Sequence, residues 1–350
     1  MIPYFLLLLM PCVFALFNTR RLSLPLWYAT FFVYVVFVGF RFEVGPDWVQ
    51  YKYIHNSLAY FSFWDVIIQA EPLSYLLFWL SQTSGNEVYI SNIVAALIVM
   101  TGVFSFARRA PNPWLAVVAA TPYFIIVMGM SGVRQAMAAG VILFLFSRWE
   151  RYSLLKRGGY ILVSALFHTS ALVNAIFLII KLNIAMRYKL VLGTVIFLIT
   201  LYLSLEVSMY SENMLRYQQR YIEDSFVIES IGSLYHITMI AIPAILGFIF
   251  KRRILAHMHN SALLHFGLYA ALSLFLLNFI STTVASRLTV YLYFVPMMVY
   301  PAIVASMSKR TQLAGAFLVV AVHMLILLGW FSLANVSFTY IPYKNILFNE

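Results

Sequence analysis

The stretch Gly158–Ile180, GGYILVSALFHTSALVNAIFLII, decides how the chain is threaded. By length it suits one membrane crossing, since a bilayer core asks for about 20 apolar residues. Ser164 and the run His168-Thr169-Ser170 interrupt it. Polar groups at that depth are costly and persist where they are buried in protein or line a wet cavity. A broken or re-entrant segment is therefore the better reading, and a straight span the poorer one.

The residues around it are apolar too. The chain of 350 residues is 63% hydrophobic and 10% charged, with a formal net charge of +11. That balance lies outside the range of globular domains. Runs of near-crossing length recur over roughly 3–17, 24–40, 88–106, 113–130, 132–148, 189–209, 231–250, 262–281, 288–306 and 313–333. The period-2 alternation of a membrane barrel is absent. The pattern predicts an all-α polytopic membrane protein with about 10–12 transmembrane segments, re-entrant or broken helices included. Residues 1–350 read as a single integral membrane domain. Met1-Ile2-Pro3-Tyr4 has neither a charged n-region nor a cleavage site, so the first run reads as a retained span. Cys12 is the only cysteine, which leaves no internal disulfide and no cysteine-built metal site.

The positive charge points to membrane topology and not to nucleic acid. Asn18–Arg21, Arg108-Arg109, Arg148–Arg157, Lys181–Lys189, Lys251–Arg253 and Lys309-Arg310 are short basic loops, expected on the cytoplasmic side. They share one side only if Gly158–Ile180 and the short run Pro72–Ser84 do not each add a simple crossing. Both are then re-entrant or split, and a cavity opens on the far side. The outward loops are 41–71 and 210–230, the latter with Arg216, Arg220, Glu223 and Asp224. The turns Ser281–Arg287 and Gly129–Arg134 join them, and both termini face the same way.

Arg41, Arg134 and Arg287 each stand at the outer end of a predicted span. A guanidinium is a planar fork of donors suited to phosphate oxygens. The plainer account is snorkelling to headgroups or pairing with a nearby acid. Arg134 departs most from it, lying among Gly129, Ser131, Gly132, Ala138, Ala139 and Gly140, small residues that allow close approach. Glu43, Asp47 and Glu71 are the acids of the first outward loop, and Asp47 and Glu71 are candidate general bases for a sugar hydroxyl. Against that, Asp47 can cap the Gly45-Pro46 turn, Glu43 can pair with Arg41 or Lys52, and Glu71-Pro72 can simply start a helix. His168 is a candidate for phosphate binding or proton transfer, or else makes an interhelical hydrogen bond. Tyr51 and Tyr291 belong to aromatic clusters that anchor at interfaces or stack on sugars. No Walker motif, dinucleotide fingerprint, HExxH, GxSxG or Asp-x-Asp pair is present, which argues against a nucleotide-driven pump and a nucleotide-sugar transferase.

Taken in order, Arg41…Gly45-Pro46-Asp47…Tyr51, Glu71-Pro72, Val133-Arg134-Gln135-Ala136-Met137-Ala138, Phe167-His168-Thr169-Ser170-Ala171-Leu172 and Arg287-Leu288…Tyr291 resemble the EpsG family. That family groups with the Wzy-type polymerases of bacterial exopolysaccharide, capsule and O-antigen. The likeness extends to Tyr340-Ile341-Pro342-Tyr343-Lys344, while Pro46 stands where the family has a smaller or hydroxylated residue. The resemblance implies a GT-C-like membrane glycosyltransferase in the bacterial inner membrane, its active site facing the periplasm or cell exterior. Its substrate would be a polyprenyl-diphosphate-linked oligosaccharide, with no cofactor or metal, and a chain-length regulator and flippase as partners. It also implies Arg41, Arg134, Gln135 and Arg287 on diphosphate or sugar, with Tyr51 and Tyr291 beside them. Asp47 or Glu71 would then be the base and His168 a support for phosphate or acceptor. Two other classes stay open on the residues alone: a transporter or flippase of lipid-linked sugar, and a membrane acyltransferase using His168. Alternating access needs polar residues along the inner half of the spans, and few are there. A ligase would differ in acceptor and not in chemistry.

Overall fold

The computed structural model describes every residue except 18–21, 87, 181, 211–225, 256–260 and 349–350. The outward loop expected over 210–230 falls largely outside the described residues, as do Arg216, Arg220, Glu223 and Asp224, the basic loop at 18–21, and His257 and His259. Among the described residues the chain is helical with no strand, and the sole bridge of β type joins Arg41 to Asn345. This is an all-α membrane protein.

Helices α1 (Ile2–Phe17) and α2 (Leu24–Gly39) pack together through the Tyr34 hydroxyl, which donates to the Leu7 carbonyl at 3.0 Å. Three short helices follow, α3 (Trp48–Leu58), α4 (Phe63–Ile67) and α5 (Pro72–Thr83). They collect at one end of the bundle. His55 of α3 reaches Ser91 at 2.9 Å, and the Ser91 amide donates to Ser81 of α5, all at the start of α6 (Tyr89–Ala107). The other end of α5, Glu71, meets Arg134 at the start of α8 (Val133–Phe146). With both ends of α5 on the same side of the bundle, this helix does not cross. The expectation for Pro72–Ser84 is met.

Between α6 and α8, α7 (Pro113–Ala120) widens into a π-helical run, Thr121–Met128. Pro122 has no N–H for the α ladder there, which favours the wider hydrogen-bond spacing. Helices α6 and α8 touch backbone to backbone. A Cβ on Gly140 would stand 2.9 Å from Val99 Cα, and one on Gly102 would collide with the Gly140 carbonyl. In a lipid solvent, association depends on this kind of close contact.

The stretch Gly158–Ile180 is a hairpin. Helix α9 (Leu154–Phe167) ends at His168, whose extended backbone (φ −155°, ψ 121°) breaks it, and a 3-10 run, Thr169–Ala175, leads into α10 (Ile176–Ile179). Arg157, near its start, donates to the Trp149 carbonyl, and Phe177, near its end, packs on Phe146 and Trp149. Its middle, His168, lies against Glu71 at the opposite end of α8. The segment therefore goes in and returns, as the polar interruption predicts.

The second half comprises α11 (Met186–Tyr210), α12 (Phe226–Ile249), α13 (Lys251–Leu255), α14 (Ser261–Leu277), α15 (Thr282–Thr289), α16 (Phe294–Ala305) and α17 (Lys309–Leu333). By length and composition α6 and α17 each suffice to cross a membrane. Val284–Leu292 with Phe294–Ala305, bent by 48°, make a third such unit, and shorter apolar helices such as Ile2–Phe17, Leu24–Gly39 and Val133–Phe146 accompany them among the described residues. The segment after α17 folds back on the first turn. Phe42 N–H donates to the Lys344 carbonyl, Gly45 N–H to Thr339, and Tyr4 Oη to the Tyr340 carbonyl at 2.7 Å. A buried core runs without interruption from Tyr4 to Tyr340.

Candidate active site

The break at His168 places its ring beside the start of α5. Glu71, 1% exposed, precedes Pro72, whose missing N–H suits a first helical turn. Its side chain does not cap α5 and turns instead to the neighbouring helices. Oε2 accepts from Arg134 Nη1 at 2.7 Å, and Oε1 accepts the Thr169 amide at 3.1 Å. His168 Nδ1 lies 2.9 Å from Oε1, an ion-pair separation without hydrogen-bond alignment. Burial raises the Glu71 pKa, but His168 and Arg134, with the Thr169 amide, outweigh it and hold the carboxyl down at about 2. The carboxylate is charged at any physiological pH.

Next to it stands a second set of groups. Ser170 and Tyr291 share a hydrogen bond of 2.9 Å, and the Tyr291 hydroxyl also faces Gln135. Gln135 Nε2 donates to the Arg287 carbonyl, which ties α15 to the start of α8. The Arg287 side chain is half-buried, and among the described residues no hydrogen-bond or ion-pair partner takes up its guanidinium. A cation held by its own backbone, with its donors taken up by no described residue, is suited to an anion from outside.

On the other flank Tyr51 lies against the Arg134 guanidinium and near Asp47 and Arg41. Asp47 starts α3 but makes no side-chain cap, contrary to the simpler expectation. Its Oδ2 accepts from Ser131 at 2.8 Å, in the turn before α8. Gly45 makes this possible. At φ +98°, with Met130 O only 2.8 Å from where a Cβ would sit, the position admits no side chain without strain. Glu43 pairs with Lys344 at 2.6 Å, not with Arg41 or Lys52. Arg41 itself is 2% exposed. It donates to the Val38 carbonyl at 2.7 Å and to Asn92 Oδ1 at 3.1 Å, so it backs Tyr51 from inside the bundle.

The structure thus brings Glu71, Arg134, His168, Gln135 and Tyr291 into one cluster, sets Tyr51, Asp47 and the Arg287 backbone at its edges, and leaves Arg41 behind it. Among the described residues no three His, Cys, Asp or Glu side chains converge as a metal site would need. Sequence reasoning passed over Thr169 as a Glu71 partner, Ser131 as the Asp47 partner and Ser170 as the Tyr291 partner. The signal was available for Ser170, as a hydroxyl beside an intramembrane histidine. For Ser131 only the fold supplies it.

Comparison with protein families matches residues 25–345 to the EpsG family. The chain belongs to the EpsG family. Comparison with curated proteins and with solved structures gives no match. The EpsG match covers nearly the whole chain and includes every residue of the cluster, from Arg41 to Tyr291. Membership makes this a membrane protein of the polysaccharide-polymerase type.

Proposed function

We propose that this chain joins polyprenyl-diphosphate-linked oligosaccharide repeat units into a bacterial surface polysaccharide, at the membrane face opposite its basic loops. The observation that carries the reading is the Gln135 tie to the Arg287 carbonyl, which brings α15 to the helix start where Glu71 fixes Arg134, with an Arg287 guanidinium that has no partner among the described residues. These two cations from distant helices are suited to the two phosphates of a lipid-linked donor. Arg134 and Arg287 would neutralise the charge that develops on the diphosphate as the sugar C–O bond breaks and the electron pair leaves with phosphate oxygen. An acceptor hydroxyl from a new repeat unit forms the glycosidic bond, and its proton passes to a carboxylate.

Of the two candidate bases, Asp47 suits that role better. Glu71 is held near pKa 2 by its two partners, far from the neutral range in which a general base works well. Glu71 is assigned as a positioning residue that orients Arg134 and His168. Asp47, half-buried and held by one hydroxyl, keeps an oxygen for the acceptor. Tyr51 and Tyr291 line the sugar path, Gln135 holds the α15 backbone in place, and Arg41 steadies Tyr51 from behind.

The test is purified protein with lipid-linked repeat unit, followed by gel separation of products. A ladder of chain lengths is expected from the wild type, and single repeat units from Arg287→Ala and Asp47→Asn. Passage of the lipid-linked unit across vesicles with no new glycosidic bond would favour a flippase. Transfer of a labelled acyl group would favour an acyltransferase.

A further inference from the structure

A cavity of about 350 Å³ opens at the other end of α8, between the ends of α6 and α8 and the starts of α14 and α16. Its volume is within the range of small-ligand sites. Arg134 begins α8 and Arg148 follows its end, 14 positions on, so the cavity lies about 21 Å from the candidate active site. Its walls are of two kinds. Phe146, Leu264, Phe294 and Met298 are buried and apolar, whereas Arg109, Arg148 and Arg151 reach the surface.

Among the described residues three guanidiniums and one carboxylate, Glu150, line this space, an excess of two positive charges. Arg148 donates to Ser147 at 2.7 Å and stacks on Phe144 at 3.8 Å, which fixes its direction. Among the described residues no hydrogen bond or ion pair takes up the Arg109 or Arg151 guanidinium. Partial burial first, and then the like charges of Arg151, Arg148 and Arg108, lower the pKa of Arg109. Snorkelling to the bulk headgroup layer accounts for lone arginines at a helix end. It does not account for three of them around an apolar hollow that runs into the bundle.

The geometry points to a binding site for an anionic phospholipid, its phosphate held by Arg109, Arg148 and Arg151 and an acyl chain lying against Leu264, Phe294 and Met298. An anionic headgroup supplies the charge the cluster lacks, and the hollow supplies an apolar bed for the chain. A soluble anion would gain nothing from that bed. This site is separate from the cluster around Glu71 and does not depend on the proposed reaction.

The test is native mass spectrometry of the full chain in detergent, titrated with phosphatidylglycerol, with phosphatidylcholine and with inorganic phosphate. Retention of phosphatidylglycerol over phosphatidylcholine is expected. Arg109→Gln/Arg151→Gln should weaken it roughly 25-fold, about fivefold for each charge removed. Both side chains are exposed, so the variant should keep its fold, checked by an unchanged melting temperature. A second variant, Met298→Trp, fills the hollow with the arginines intact and should also lose the lipid. Equal retention of the two lipids, unchanged adducts in the double variant, or displacement by millimolar phosphate would each overturn the assignment.

Discussion

Glu71 Oε2 and Arg134 Nη1 stand 2.7 Å apart, the carboxylate 1% exposed and the guanidinium 24% exposed. That asymmetry decides what each substitution does. Arg134→Ala leaves a buried carboxylate with only His168 and the Thr169 amide, and should cost about 3 kcal/mol. Glu71→Gln keeps a hydrogen-bond acceptor and leaves a cation that water can reach, so about 1 kcal/mol is expected. Denaturant or thermal unfolding of both variants checks the order, which a purely surface pair would not produce.

Arg287→Ala should separate stability from activity. The guanidinium has no partner to lose among the described residues, so unfolding should shift by less than about 0.5 kcal/mol. Long-chain product should nevertheless vanish, with single lipid-linked repeat units accumulating. A melting temperature that falls as far as that of Arg134→Ala would contradict the absence of a stabilising partner for Arg287.

The pH dependence has a definite sign. The Glu71 pKa is lower in the folded chain than its ordinary value of 4.5. Its ion pairs therefore stabilise fully above about pH 4.5, and that contribution fades as pH falls toward about 2. The stability gap between wild type and Glu71→Gln should be flat from pH 7 to 5 and shrink below 4.5. Melting curves in acid-stable detergent read this directly, and a gap that shrinks on raising the pH would refute it.

Gly45→Ala should damage the first turn more than an ordinary loop change. The residue is at φ +98° with Met130 O in the way, so about 1–3 kcal/mol is expected. Asp47, two positions on, would leave Ser131, and activity should fall beyond the stability loss. Gly85→Ala makes the control, with φ +75° but open space around it.

The C-terminal contact offers a contrast. Lys344→Ala breaks an ion pair whose members are 38% and 49% exposed, and should cost less than about 1 kcal/mol. Tyr340→Phe removes the donor to the Val127 carbonyl in a fully buried position, and should cost about 1–2 kcal/mol. Paired unfolding curves compare them.

What could be read in the sequence follows a physical division. Apolar runs mark helices without outside help, and the predicted spans agree with α1, α2, α6 and α8 to within a few residues. The hairpin at Gly158–Ile180 was visible because His168, Thr169 and Ser170 are too polar for a straight lipid-facing span. Partners were legible only when local. Glu43 was matched with Arg41 or Lys52 because those are near in sequence, whereas the fold supplies Lys344, 301 positions away. Asp47 looked like a helix cap because acids at that position commonly are, and Ser131 takes it instead. Arg41 carried the same surface signal as Arg134. What hides it is Asn92 together with packing from Tyr340 and Tyr343, which no spacing rule anticipates.

The Thr339 and Lys344 carbonyls hold the amides of Gly45 and Phe42. A ribosome delivers those carbonyls some three hundred residues after the turn they fasten, once the sequence of every helix from α1 to α17 has been made. The turn around Asp47 is thus completed only after the long stretch of chain between it and Thr339 has been made. A nascent chain arrested before Ser337 would insert its helices and still lack the finished turn.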